Sequence, residues 1–260
     1  MNKIYYNENN VGLVNYTGGG SADIPSALTS CEFDEYGRLK NFVIKDGVTS
    51  IPSDYQHYNP SLSSCTIPSG ITSIGDYAFA YVAKGSNIPN LNVSNINLAG
   101  INTNPSCKYM FYGASLCGNL TIPNSLLSGA TSGGTSTCYN MFSNATCNGD
   151  GGLTINVYAD NVVIPIAMFY FYYATTHSDD LNLIIHGTPT FLSQQAFACS
   201  TGGSITFADC ITPPNAPAYD TTYKNPFNSL YGTLYVPSAG LSAWQNKYPT
   251  ISSKIKAIGT

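Results

Sequence analysis

A dipeptide of Ala, Met or Pro followed by Phe returns along this chain at a nearly constant interval. It occurs at Ala78-Phe79, Met110-Phe111, Met141-Phe142, Met168-Phe169, Ala196-Phe197 and Pro226-Phe227, and the Phe-to-Phe steps are 32, 31, 27, 28 and 30 residues. A second pattern alternates with it, a β-prone triplet often closed by Pro. Cys65-Thr66-Ile67-Pro68, Leu120-Thr121-Ile122-Pro123 and Leu234-Tyr235-Val236-Pro237 are the clearest examples. Looser copies are Phe42–Ile44, Leu91–Val93, Leu153–Ile155, Leu183–Ile185 and Ile205–Phe207. Self-similarity at this period is the signature of a stacked repeat architecture.

A strand of three or four residues is not stable alone. Stacked side by side, eight such strands make a parallel sheet, with neighbours about 4.8 Å apart and a total run of about 34 Å. Period-2 alternation turns the first and third triplet positions to one side, the interior. Each Phe then fills that interior from the opposite wall, and Pro ends the strand because it supplies no ladder N–H. The first unit is shorter. Taking Tyr55 and Tyr77 as equivalent gives a step of 22 residues and puts His57 where Phe79 sits one coil later. The third coil runs into the polar stretch 92–104, and Ser128–Thr135 reads as a solvated loop.

The stretch Ile67-Pro68-Ser69-Gly70-Ile71-Thr72-Ser73-Ile74-Gly75-Asp76-Tyr77-Ala78-Phe79 resembles the BspA-type leucine-rich repeat. Gly47–Ile51, Ala196–Cys199 and the tail Leu234–Trp244 look like further parts of that family's pattern. Coils three to five depart from it, with Met-Phe for Ala-Phe and longer connections. The resemblance implies a leucine-rich-repeat-like solenoid with one short-stranded parallel sheet, an irregular or short helical opposite wall, and a C-terminal capping helix. It also implies a role in binding and adhesion, in bacterial surface proteins or phage-encoded ones, and no catalysis.

A solenoid needs closed ends, which divides the chain into 1–30, a cap or an attachment arm; 31–233, the repeats; and 234–260, a C-terminal cap. Ile4/Tyr6 and Val11/Leu13 alternate as an edge strand would, free to add to a partner. Ser238 or Ser242 is placed to N-cap a helix through Lys247, with Leu241, Trp244 and Tyr248 on one apolar face.

Charged residues are 9% of the chain, where an ordinary domain carries about 25%. With a net charge of −4 and Arg38 as the only arginine, nucleic acid is not expected as a partner. The start of the chain has no apolar signal-peptide core, and the apolar run at 162–173 is broken by Pro165 and too short to span a bilayer. The expectation is synthesis in a cytosol without the usual export, and no membrane insertion. The 8 cysteines show no CxxC and no zinc spacing, and read as reduced, buried, small apolar residues.

No chemistry-bearing constellation emerges. His57, His177 and His186 have no partner at metal-ligand spacing, and there is no G-x-S-x-G elbow. Glu occurs only at 8, 32 and 35, and Asp76, Asp160, Asp209 and the other acids of the body share no repeat offset. A polysaccharide-acting solenoid enzyme therefore ranks behind binding functions, and no catalytic residue, metal or cofactor is expected. The candidate binding residues are Tyr109, Tyr112, Tyr139, Tyr170, Tyr172 and Tyr173, near equivalent anchor positions in a chain with 20 Tyr and 1 Trp. Tyrosine offers flat apolar area with a hydroxyl at low entropic cost. The expected ligand is a host surface glycan or protein. The sparse charge, the neutral polar surface and the N-terminal arm point to a tailed-phage virion component: a tail fibre, receptor-binding or head-decoration protein that meets other virion proteins through residues 1–30. A bacterial cell-surface adhesin is the alternative.

Overall fold

The computed structural model describes residues 15–17, 21–23, 28–35, 38–84, 89–101, 106–133, 136–147, 151–171, 181–198, 203–217 and 225–260. Two short N-terminal strands, β1 (Asn15–Thr17) and β2 (Ser21–Asp23), pair antiparallel. The main sheet follows, built from β3 (Leu28–Phe33), β4 (Leu39–Ile44), β6 (Ser64–Thr66), β8 (Leu91–Asn92), β9 (Leu116–Ile122), β10 (Leu153–Tyr158), β12 (Leu181–His186), β14 (Ser204–Phe207), β15 (Thr233–Val236) and β16 (Ile255–Ala257). These strands lie side by side in chain order, and every pairing is parallel except β3 with β4. Shorter strands add a second ladder lower in the coil: β5 (Ser50–Ile51) with β7 (Ser73–Ile74), and β11 (Val163–Ile164) with β13 (Phe191–Leu192). The strand β1 lies beside β5; the alternating residues Ile4, Tyr6, Val11 and Leu13 fall outside the described residues.

Every triplet read from the sequence lies on the main sheet. The register carries the repeat across coils: Leu120 opposite Ile155, Ile155 opposite Leu183, Leu183 opposite Ile205, Ile205 opposite Leu234 and Leu234 opposite Ile255. First and third triplet positions are buried throughout, as period-2 alternation requires. The sheet has ten strands rather than eight. The two extra strands are the edges. The first, β3, folds back as an antiparallel hairpin, and its mostly exposed residues give it no interior pattern to be read by. The last, β16, is the tail segment that closes the final coil.

Opposite the sheet, the Phe anchors form one file. Ring centroids are 5.9 Å apart for Phe79–Phe111, 5.3 Å for Phe111–Phe142, 5.5 Å for Phe142–Phe169 and for Phe169–Phe197, and 5.3 Å for Phe197–Phe227. All are fully buried. The backbone explains the residue before each Phe. Its carbonyl accepts the Phe N–H of the preceding coil: Phe79 to Met110, Phe111 to Met141, Phe142 to Met168, Phe169 to Ala196 and Phe197 to Pro226. Between coils that position supplies a carbonyl, so Pro226 serves as well as Met or Ala.

The first coil departs from the 22-residue alignment. Ser50 pairs with Ser73 and Ile51 with Ile74, a step of 23. The N–H of Gln56 reaches the carbonyl of Ala78, as that of Phe79 reaches Met110, so Gln56 and not His57 stands at the Phe position. The ring comes instead from Tyr55, packed edge-on to Phe42 (5.7 Å) and to Phe79 (6.2 Å). The extra residue went unseen because His and Tyr alternate closely in this stretch, and either frame superposes aromatic residues.

At the other end a 3-10 turn (Ser238–Gly240) leads into α2 (Leu241–Lys247), the second helix after the one-turn α1 (Asn124–Leu127). Neither Ser238 nor Ser242 caps α2 with its side chain. The cap residue is Gly240, because the helix is entered directly from the preceding turn. Trp244 and Tyr248 are buried and Leu241 packs on the core. Trp244 donates from Nε1 to the Cys210 carbonyl at 3.0 Å, and Tyr248 meets Phe227 edge-on at 5.0 Å.

Candidate binding surface

On the Phe wall the backbone turns sharply on both sides of each anchor. Two residues before Phe, the chain is left-handed at Tyr77, Tyr109, Asn140, Ala167 and Gln195. Two residues after, it is left-handed at Tyr81, Gly113, Asn144 and Ser229, and Asp54 and Tyr58 match in the first coil. For a bulky L-residue this conformation costs about 1–2 kcal/mol. The cost is offset by the ladder that these turns permit, such as the Tyr77 N–H to Lys108, Tyr81 N–H to Tyr112 and Tyr109 N–H to Tyr139 carbonyls, at 3.0, 2.7 and 3.0 Å. With Phe and its predecessor turned inward, the flanking side chains are left on the outer surface.

Four of these flanking positions in the first three coils hold Tyr, and the rings meet. Tyr77 and Tyr109 stack at 4.5 Å with planes 5° apart, and Tyr58 and Tyr81 at 4.8 Å and 7°. His57 stacks on Tyr58 at 4.2 Å and lies 5.6 Å from Tyr77, joining the two pairs. Tyr112 stands edge-on to both Tyr81 (5.3 Å, 74°) and Tyr109 (5.6 Å, 72°). Tyr139 extends the group from Tyr109 at 5.4 Å and 83°. Most of these rings are half-buried, while Tyr58 is 52% exposed. Gly113 completes the fit: its φ is +63°, and a Cβ there would lie 2.7 Å from the ring of Tyr81, which folds across it.

The surface is aromatic and sparsely charged. Burial pushes the Tyr81 phenol up to about 12, with a further contribution from Tyr112, and burial also raises Tyr77 and Tyr109. These three hydroxyls therefore stay protonated, and the hydroxyl of Tyr112 accepts from Asn144 Nδ2 at 2.7 Å. Nearby charges are few and of both signs. Asp54 contacts His57 Nδ1 at 2.8 Å, Asp76 accepts the Lys108 N–H at 3.0 Å, and Lys84 Nζ lies 4.9 Å from the centre of the Tyr81 ring.

Of the tyrosines singled out from the sequence, Tyr109, Tyr112 and Tyr139 belong to this cluster. Tyr170 holds the position of Tyr112 two coils later and is half-buried; Phe169 and Phe171 beside it are interior. Tyr172 and Tyr173 lie outside the described residues. Sequence reasoning missed His57, Tyr58, Tyr77 and Tyr81. The available signal was their offset from Phe79, two residues before and two after, repeated in part around Phe111.

Several other described polar groups are taken up by the fold. The outer sheet face carries neutral rows, among them Thr121, Asn156, Ile184 and Thr206 in register, beside the stacked pair Tyr158–His186 at 4.8 Å. Asp160 accepts the Thr188 N–H and Asp209 the Gly187 N–H. Cys65, Cys107 and Cys138 are free, buried thiols raised by burial, Cys107 to about 12. Among the described residues, no group of three or more His, Cys, Asp or Glu side chains is placed to hold a metal ion. No described helix is long and apolar enough to cross a membrane.

Residues 26–144 match the BspA type leucine-rich repeat region, in 6 copies. This stretch belongs to the BspA-type leucine-rich repeats. It contains the whole aromatic cluster and the anchors Phe79, Phe111 and Phe142. The parallel register and the Phe file do not stop at the matched residues but run on through Phe227 to the cap. A comparison with curated proteins finds no match.

Proposed function

We infer that this chain is a non-catalytic recognition protein whose contact surface is the tyrosine cluster on the Phe wall. One observation carries this reading: bulky tyrosines are held in left-handed backbone at successive coils, and their rings join into one half-exposed aromatic surface. The left-handed turns recur along the wall and serve the ladder between coils; what is particular to the first three coils is that the flanking residues are tyrosines whose rings meet at the surface. The reading as non-catalytic is supported by the acids, since Asp76, Asp160 and Asp209 accept backbone hydrogen bonds between coils. Binding of purified protein to host-surface material tests the assignment. A Tyr77→Ala/Tyr109→Ala variant that keeps its fold should lose binding; retained binding overturns the reading.

The setting we infer is the virion of a tailed phage, as a tail-fibre, receptor-binding or head-decoration protein, with residues 1–30 toward other virion proteins. The sparse charge and neutral polar surface support it. Mass spectrometry of purified virions tests it. A bacterial surface adhesin is the second reading, favoured by the BspA-type match; recovery of the chain from a bacterial envelope and not from particles would select it.

A further inference from the structure

We propose that the aromatic cluster takes a linear, uncharged polysaccharide lying along the solenoid axis. This rests on the reading of the Phe wall as the contact surface and adds the ligand class.

Charge is the first argument. Burial favours the neutral form of the Tyr77, Tyr81 and Tyr109 phenols, and the charges beside them are few: Asp54 contacts His57, Asp76 accepts the Lys108 N–H, and Lys84 lies over Tyr81. A polyanion or a strongly charged peptide finds a few charges of both signs rather than a field of one sign to recognise, whereas a neutral ligand loses nothing by it.

Ring geometry is the second. The faces that Tyr77 and Tyr109 turn to each other, and those of Tyr58 and Tyr81, are closed by stacking. Tyr112 and Tyr139 cross them at 74° and 83°. The outer surface thus mixes ring edges, ring planes and hydroxyls at close range. A pyranose has the matching character: an apolar C–H face bounded by a rim of hydroxyls. Protein partners concentrate affinity in a few deeply desolvated anchors; here half-exposed rings are spread over successive coils.

Periodicity is the third. Tyr58 and Tyr81 are equivalent positions one coil apart, as are Tyr77 and Tyr109. Stacked coils advance by about 4.8 Å. A polymer that repeats its own chemistry meets each of these groups on two successive coils, and the second contact forms at high effective concentration.

The test is affinity electrophoresis of the full chain through gels containing dextran, mannan, a linear β-glucan or, as the charged comparison, alginate. Calorimetry with oligosaccharides of two to eight units follows for any retarding polymer. Retardation by at least one neutral polymer is expected, with affinity rising with oligosaccharide length and unchanged by added salt. Tyr109→Ala should weaken binding about tenfold, while Tyr109→Phe keeps most of it; thermal melts of both variants separate lost contact from lost fold. Retardation by alginate alone, or by no polymer, overturns the proposal. If host-surface binding is then still lost in the Tyr77→Ala/Tyr109→Ala variant, the wall stands as a contact surface for another ligand. If that binding persists, the functional reading fails as well.

Discussion

The ring of Phe142 lies between those of Phe111 and Phe169, 5.3 Å from one and 5.5 Å from the other, with planes within 20° of both. Each anchor is thus packed by the anchors of its two neighbours, and stability passes along the solenoid through nearest-neighbour contacts. Phe142→Ala opens a cavity in the middle of that file and is expected to cost about 3–5 kcal/mol. Phe142→Leu, which keeps most of the volume, should cost less than half as much. Urea unfolding followed by circular dichroism measures both, and equal costs would contradict the stacked arrangement.

Gly113 links the fold to the surface. In Gly113→Ala, the left-handed backbone at φ +63° and the 2.7 Å approach of Tyr81 both oppose the added methyl. A loss of about 1–2 kcal/mol is expected, along with displacement of the Tyr81 ring. The melting temperature reads the first effect and ligand affinity the second; a variant with unchanged melting and unchanged binding would show that Tyr81 does not rest on Gly113.

Trp244 closes the last coil against Phe207 at 4.8 Å and donates to Cys210. Trp244→Ala should cost about 3–5 kcal/mol. Trp244→Phe should keep much of the packing but leave the Cys210 carbonyl without this donor, at about 1–3 kcal/mol. In the unaltered chain the single Trp should emit at short wavelength and resist acrylamide quenching; a red-shifted, readily quenched emission would place it outside the core.

The raised thiols and phenol predict an alkaline limit to stability. Cys107 moves from 9.0 up to about 12 and Tyr81 from 10.0 up to about 12, chiefly through burial; Cys65 and Cys138 also rise. The folded state holds these protons after the unfolded state has released them. Stability is therefore full below pH 9 and falls from there toward pH 12, by up to about 1.4 kcal/mol per pH unit for each buried thiol. Urea midpoints between pH 8 and pH 11 test the sign. In parallel, exposed Cys31 should react with a thiol reagent in the native protein, and Cys107 and Cys138 only after unfolding.

The repeat was legible because two independent constraints mark it. A strand triplet must alternate inward and outward, and one ring per coil must fill the space opposite. Where only one constraint acts, the sequence is ambiguous. The first coil takes its ring from Tyr55 rather than from the Phe position, so the frame slipped by one residue. The edge strand β3 pairs on one side only and shows mostly exposed residues, so it bears no triplet. The aromatic surface was half visible: Tyr109, Tyr112 and Tyr139 stand out beside Met-Phe anchors, but the neighbouring Tyr58, Tyr77 and Tyr81 join them only through left-handed turns, a backbone state that Tyr does not advertise.

The direction of the wall ladder decides how the last Phe-anchored coil is closed. Each Phe N–H points toward the coil made after it, so every growing edge is a ledge of open donors waiting for the next carbonyls. At Phe227 that waiting ends, because the side chain of Asn225 turns back and accepts the N–H at 2.9 Å. A product broken off upstream keeps its ledge, and the nearest source of carbonyls for it is another broken chain. A truncation that ends before Phe227 is therefore expected to aggregate more readily than the 260-residue chain, a difference that light scattering of the two would read.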